Sequence, residues 1–185
     1  MNKFLKWFLI IVIGLGVVLF IAFKVLQSNT KKFSPEEEIA FVQNDLAIDV
    51  FYNRPSKKDR QIFGGLVPYG EVWRTGANEA TTFTTNSDIM VNGKKLAKGE
   101  YTLWTIPNPR TWQVIFNGQS YGWGVNFDGV ASREAEYDIL NVAIPVEETE
   151  EVVEQFTITI EEGTPIIMKL AWDKTVINVP IEPVN

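Results

Sequence analysis

The sequence predicts an all-β body, an antiparallel β-sandwich of jelly-roll-like form, carried on one N-terminal transmembrane helix. Three observations predict it. Residues Trp7 to Phe23, WFLIIVIGLGVVLFIAF, contain no charge. With Val25 and Leu26 beyond Lys24 the apolar stretch reaches about twenty residues, the length at which an α-helix crosses the hydrocarbon layer. Downstream, apolar residues alternate at period two in one segment after another, which turns one face of a strand to a core and the other to water. Asn92-Gly93 lies between two such segments, and that dipeptide accepts the positive φ angles a two-residue hairpin turn needs.

The leading segment is apolar all round, where a core helix of a water-soluble domain would keep one polar face. Trp7 stands where an interfacial anchor belongs and Lys24 can snorkel at the other end. A cleaved secretory signal is the competing expectation, and the basic start fits it. The apolar stretch is longer than such signals carry and no A-x-A-like site follows, so an uncleaved signal anchor is preferred. Without cysteine, lipoprotein processing is excluded. Lys3 and Lys6 on one side nearly balance Lys24, Lys31 and Lys32 on the other, so positive charge alone does not orient the span. Residues 1–27 are thus expected to be the membrane anchor, 28–38 a polar linker, and 39–185 the β-sandwich domain. The alternative for the linker is a first helical turn at Ser34-Pro35 with acids behind it.

Residues 40–52 supply one or two opening strands. Ile89-Met90-Val91 and Lys94-Lys95-Leu96 flank the Asn-Gly turn, and a further turn at Lys98-Gly99 leads into a strand ending at Pro107. Trp112, Val114 and Phe116 alternate, as do Phe156, Ile158 and Ile160, then Ile166, Met168, Leu170 and Trp172. A turn is expected at Asp173-Lys174 before Ile177, Val179 and Ile181 resume the pattern. Turns at such intervals mark a sandwich or barrel. Residues 133–140, REAEYDIL, lack alternation and hold helix formers, so a short helix is expected there. The acidic stretch 146–154 reads as a solvated edge strand or loop.

Composition excludes much chemistry. The chain has no Cys and no His, so disulfides, thiolate nucleophiles, Cys/His zinc sites and Ser-His-Asp triads are out. Net charge is −6; setting aside Lys3, Lys6 and Lys24 leaves 14 basic against 23 acidic residues, a net of −9 for the remainder. An acidic body does not suit nucleic acid, which requires a basic face. No D-x-D-x-D-G loop for calcium occurs, and Gly122-x-Gly124 opens no helix that would make a phosphate cradle. No metal and no cofactor are expected.

A site is expected in residues 54–82, RPSKKDRQIFGGLVPYGEVWRTGANEATT, which alternate poorly and are dense in Gly, Pro, Asn and aromatics. Long loops on a rigid sheet often carry function. Arg74 can clamp a carboxylate or phosphate, and Asn78 and Glu79 can address hydroxyls; equally, Arg74 and Glu79 can pair and pin the loop. Tyr69, Trp73, Trp104, Tyr121 and Trp123, three of them beside Gly or Pro, are either sugar-stacking platforms or packing residues. The expected ligand site is Trp73, Arg74, Asn78 and Glu79, with Trp104 and Trp123. The basic run Arg54, Lys57, Lys58 and Arg60 either meets an anionic partner or headgroups, or is a solvated turn. Glu71, Glu79, Asp128, Glu134 and Asp138 are candidate acid/base carboxylates, with nothing to fix a pair.

Arg54-Pro55, Lys57-Lys58 and Arg60, the run IFGGLVPYGEVWRTGANEATTFT, then VNGKKLAKGEYTLWTIP and the strand from Trp112 to Asn117 resemble bacterial domain-of-unknown-function family 2911. The resemblance spans about Ala40 to Ile181, and its motif residues here are Arg54, Pro55, Arg60, Gly64, Pro68, Gly70, Trp73, Arg74, Gly76, Asn78 and Glu79. It implies a secreted or envelope protein, hence a body outside the cytoplasm, and no activity or catalytic residue to carry over. The chain departs from the family at its start, a retained anchor where a cleavable signal is expected. The function expected is a non-catalytic, membrane-tethered ligand-binding or interaction module for a carbohydrate or anionic small molecule. The alternatives are a histidine-free glycan hydrolase using Glu79 and a second carboxylate, and a structural envelope protein whose loop is a polar plug. Oligomeric state stays open.

Overall fold

The computed structural model describes residues 2–184, in two units that meet at Phe33 and Ser34. The first is helix α1, Lys3–Phe33, long and apolar enough to cross a membrane, with none of its apolar window buried. The helix continues through the polar residues 28–32 to Phe33, with Lys31 and Lys32 in its last turn, where cations face the negative end of the helix dipole. Strand pairing starts at Glu36, so only Ser34 and Pro35 of the expected linker are irregular, and the expected alternative of a helix starting at Ser34 is not found.

The second unit holds nine strands among the described residues: β1 Glu36–Gln43, β2 Leu46–Asn53, β3 Thr81–Thr85, β4 Ile89–Val91, β5 Lys94–Leu96, β6 Gly99–Ile106, β7 Thr111–Asn117, β8 Asp138–Glu161 and β9 Ile166–Pro183. All pairings are antiparallel, in one nine-stranded sheet of order β1-β2-β3-β6-β7-β8-β9-β4-β5. The strands are therefore linked as a single sheet rather than as two separately bonded layers. The Asn92-Gly93 hairpin forms between β4 and β5, with φ of 45° and 74° at the two turn residues. Both lie in the left-handed region that this turn requires.

Strand β8 joins the two halves of the sheet. Its first residues pair with β7, from Asn117↔Asp138 to Thr111↔Pro145, and the rest pairs with β9. Two register shifts interrupt that second ladder between Glu148 and Thr157, so the acidic stretch 146–154 is a bulged part of a strand. Beyond it, Phe156 N–H donates to Pro55 O and Lys57 N–H to Glu154 O. The backbone N–H of Ile158 donates to the Tyr52 hydroxyl at 2.9 Å, and the Tyr52 ring meets Phe156 edge-on at 5.7 Å. The sheet is thereby curled until β2 lies against the far half of β8.

The core follows from the parity of the strands. Trp73, Trp112, Phe156 and Trp172 gather with Phe63 in the main apolar cluster. Trp73 stacks on Trp172 at 5.9 Å and meets Phe156 at 4.9 Å, and Phe63 meets Trp112 at 4.7 Å. Aromatic pairs at these spacings add to the burial of their area. The opposite face of β6 and β7 carries a smaller cluster of Trp104, Ile115 and Ala80, with Tyr121 and Ala131 packed on it.

Two local expectations are corrected. Residues 133–140 hold a three-residue 3₁₀ turn at Ala135–Tyr137, and Asp138 already opens β8. Asp138 accepts from Arg133 Nε and Asn117 Nδ2, each at 2.9 Å, and this tie to β7 overrides weak helix propensity. At Asp173 the chain does not reverse: β9 runs through it, with φ of 56°. Its partner β8 flanks this point, at Val153 and again at Glu148, so the left-handed residue makes an irregularity within a strand and not a turn.

Trp172→Ala should lower the unfolding free energy by about 3–5 kcal/mol, the range for emptying a buried large aromatic site, as read from urea denaturation. Burial holds the Tyr52 phenol above its ordinary pKa of 10.0, outweighing the Ile158 hydrogen bond and Arg54, which lower it. The folded state then keeps this proton more tightly than the unfolded one. Its contribution is whole below about pH 10 and is lost as pH rises from there through the raised value. Denaturation midpoints should fall above about pH 10, and Tyr52→Phe should make that fall shallower.

Candidate functional site

No strand lies between Asn53 and Thr81 among the described residues, and Trp73 is what fastens this long segment to the sheet. Its N–H donates to Thr105 O at 2.7 Å and its carbonyl accepts from Thr105 N–H at 2.9 Å. The indole Nε1 donates to Gly76 O at 2.9 Å, and the ring is buried in the aromatic core. Successive residues of an extended backbone point to opposite sides, so Arg74 leaves on the side away from that core.

A tight polar turn follows. Thr75 and Asn78 have φ of 56° and 55°; Asn tolerates this region, whereas a β-branched Thr is strained there. The strain is held by Thr75 Oγ1 donating to Thr105 Oγ1 at 3.2 Å and by Thr81 Oγ1 donating to the Thr75 carbonyl at 2.7 Å. Gly76 is needed because a Cβ there would sit 2.9 Å from the Asn53 carbonyl. The backbones thus approach closely enough for a chain of buried polar contacts: Asn78 Nδ2 donates to Asn53 Oδ1 at 3.1 Å, and Asn53 Nδ2 donates to Glu79 Oε2 at 3.0 Å.

Arg74 stands beside this chain without joining it. Its aliphatic stem lies under Gly124, where a Cβ would come within 2.8 Å of Arg74 Cβ and closer still to Cδ. Gly124 N–H donates to Asn78 O at 2.9 Å, and Ser132 N–H to Gly124 O at 3.1 Å, so the loop 121–132 covers the stem. Nε of Arg74 is buried with no hydrogen-bond partner, and no ion pair of Arg74 occurs among the described residues. Burial pushes its pKa below the ordinary 12.5.

The expected site residues separate. Arg74, Asn78 and Glu79 share one corner of the body, and Trp123 is half-buried beside Gly124 on the covering loop. Trp73 is only 9% exposed and Trp104 0%. The Trp104 indole donates to Thr102 Oγ1 at 2.9 Å, and its ring meets Tyr121 edge-on at 5.4 Å. Neither ring offers a face for sugar stacking, and both are packing residues in this structure. Among the described residues no Arg74–Glu79 ion pair occurs, and Asn53 donates to the Glu79 carboxylate. Asn53 and Gly124 were not visible as parts of the site, because their roles arise from contacts 26 and 50 residues away along the chain with Glu79 and Arg74.

The basic run is used internally. Arg54 pairs with Glu37 at 3.2 Å and donates to Phe156 O and Thr157 Oγ1. Lys57 pairs with Asp173 at 3.4 Å, and Arg60 donates to the carbonyls of Ser56 and Lys57. Of the candidate carboxylates, Asp138 is taken by Arg133 and Asn117, while Glu71 and Asp128 are exposed. Tyr121 and Asn117 form a second polar knot: the Tyr121 hydroxyl donates to Asn117 Oδ1 at 3.3 Å and accepts from Glu134 N–H at 2.9 Å. It fastens the base of the covering loop.

A family model described as "Protein of unknown function (DUF2911)" matches residues 34–181. No curated protein and no solved structure matches the chain.

Two outcomes follow from the packing at Arg74. Gly124→Ala should cost about 1–3 kcal/mol by overpacking, and combining it with Arg74→Ala should recover part of that loss, a coupling that a double-mutant cycle in urea measures. Arg74→Met keeps the stem and removes a buried Nε–H that has no partner, so its thermal midpoint should stay level or rise.

Proposed function

We propose that this chain, which belongs to the DUF2911 family of unknown function, is a membrane-tethered, non-catalytic binding module. In this proposal α1 stays in the bilayer as a signal anchor, and the body works outside the cytoplasm as a curled, two-layered β-sandwich. Its ligand, an anionic or polyhydroxylated small molecule, is taken at Arg74, Asn78 and Glu79, with Trp123 at the margin.

The observation that carries the proposal is the Arg74 guanidinium. Buried charges are normally paired, since leaving one alone costs several kcal/mol. Arg54 and Arg133 each find a carboxylate, yet Arg74 has a buried Nε with no partner. Beside it the backbone is strained at Thr75 and Asn78, and strain of this kind gathers at functional sites. A purely structural plug would pair its cation. A carboxylate-based hydrolase draws less support, because Glu79 is engaged by Asn53 and Asp138 by Arg133.

The tether is supported by a helix whose apolar residues are exposed over its whole length. Membranes washed with alkaline carbonate should retain the full-length chain, and protease added to intact cells with a permeabilised outer layer should digest the body. Release of a shortened soluble body would remove the tether. For the binding function, Arg74→Ala should abolish ligand uptake by the purified chain while its circular dichroism and thermal midpoint are kept. A much lower midpoint in that variant would make Arg74 a structural residue.

A further inference from the structure

Resting on the binding function proposed above, we infer that the group Arg74 takes is a small oxyanion, a carboxylate or a phosphate, and not a neutral sugar. Three features of the corner select it. The unpartnered atom is Nε, and the Nε–H together with one Nη–H forms the two-donor edge of a guanidinium that matches two oxygens of a carboxylate or phosphate. A sugar hydroxyl offers one neutral oxygen and leaves the charge unbalanced. The amides that could address hydroxyls each spend an N–H within the corner, Asn78 on Asn53 and Asn53 on Glu79, whereas the Arg74 Nε–H is spent on nothing. Of the aromatic rings that could stack on a sugar, Trp73 and Trp104 are buried, and Trp123 on the covering loop is half-buried.

The same geometry says how the anion arrives. Nε lies beneath the loop 121–132, so the oxyanion reaches that edge as the loop shifts. The backbone tie Gly124 N–H to Asn78 O is the bond that yields. The tip beyond it is closed on itself: Asn126 Oδ1 accepts from Asp128 N–H and Val130 N–H. Phe127 and Val130 on that tip are exposed, so lifting it breaks no apolar packing by these side chains. The base stays fixed through Tyr121 and Asn117. Glu79 is held by Asn53 and does not have to swing for the anion to enter.

The test uses the full chain in polyoxyethylene detergent micelles, which carry neither an anion nor a sugar. The Nε–Hε signal of Arg74 is followed by NMR and assigned by its loss in Arg74→Lys. Sodium acetate, inorganic phosphate and methyl glucoside are titrated in turn against sodium chloride at equal ionic strength. The expected result is a saturable shift with acetate or phosphate, absent with methyl glucoside and chloride. Whichever of the two anions saturates at lower concentration names the carboxylate or the phosphate class. Binding followed by Trp fluorescence should be at least tenfold weaker in Arg74→Lys, which keeps the charge and loses the fork. An equal shift with chloride, or an undiminished affinity in Arg74→Lys, overturns the oxyanion inference. Binding of methyl glucoside without either anion overturns it too and leaves the binding module standing. Silence from all three probes overturns both.

Discussion

The corner that carries the candidate site depends on one anchoring interaction, the docking of Trp73. Its peptide group exchanges two hydrogen bonds with Thr105, and its ring stacks on Trp172 inside the aromatic core. A segment of nearly thirty residues without strands would otherwise have little to order it against its conformational entropy. Once Trp73 is inside, the alternation of an extended chain puts Arg74 outside. The strained turn from Thr75 to Asn78 then brings the Asn53 carbonyl so close that only glycine fits at position 76. Core packing and site geometry are two sides of the same three residues.

The electrostatics of the body make Arg74 an exception. Arg54, Lys57 and Arg133 each reach a carboxylate, and Arg60 reaches two carbonyls. These contacts tie the segment after β2 to β8 and β9 and hold the turn before β8. In an acidic body partners are plentiful, so a buried guanidinium edge left without one is a feature to explain. The covering loop explains how it is kept: Gly124 allows the backbone to lie on the Arg74 stem, and the carbonyls nearby are committed to other donors, Asn78 O to Gly124 and Arg74 O to Thr81.

The core is closed on its far side by the two longest strands. The long strands β8 and β9 form the far wall of the core, with Phe156, Met168, Leu170 and Trp172 buried. The acidic stretch in β8 turns its carboxylates to the exposed side and interrupts the ladder, while its Glu154 carbonyl accepts from the buried Trp172 indole at 3.3 Å. The two sheet edges are blunted by charge, with Glu36, Glu37 and Glu38 on β1 and Lys94 and Lys95 on β5, a common protection against edge-to-edge pairing. The candidate corner is joined to these walls through Trp73, whose ring stacks on Trp172 of β9, while Arg74 lies on the side away from the core.

What the sequence determined by itself is what local periodicity encodes. The uncharged run specified α1, the Asn-Gly pair specified the β4–β5 hairpin, and alternation at Trp112, Val114 and Phe116 specified the face of β7 that packs into the main core, because each signal is complete within a few residues. The resemblance to family 2911, carried by the run around Trp73 and Arg74, was also legible, since the family model covers residues 34–181. Tertiary structure decided the rest. Asp173 looks like a turn residue, but β8 holds the chain straight through it. Residues 133–140 look helical, but the tie of Asp138 to Arg133 and Asn117 extends them. Trp73 and Trp104 look like ligand platforms, but burial claims both rings. Arg74 and Glu79 look like a pair, but Asn53 takes the carboxylate while Gly124, fifty residues on, covers the cation. Each of these outcomes turns on a contact between residues distant in the chain, and a pattern confined to neighbours has no means of recording it.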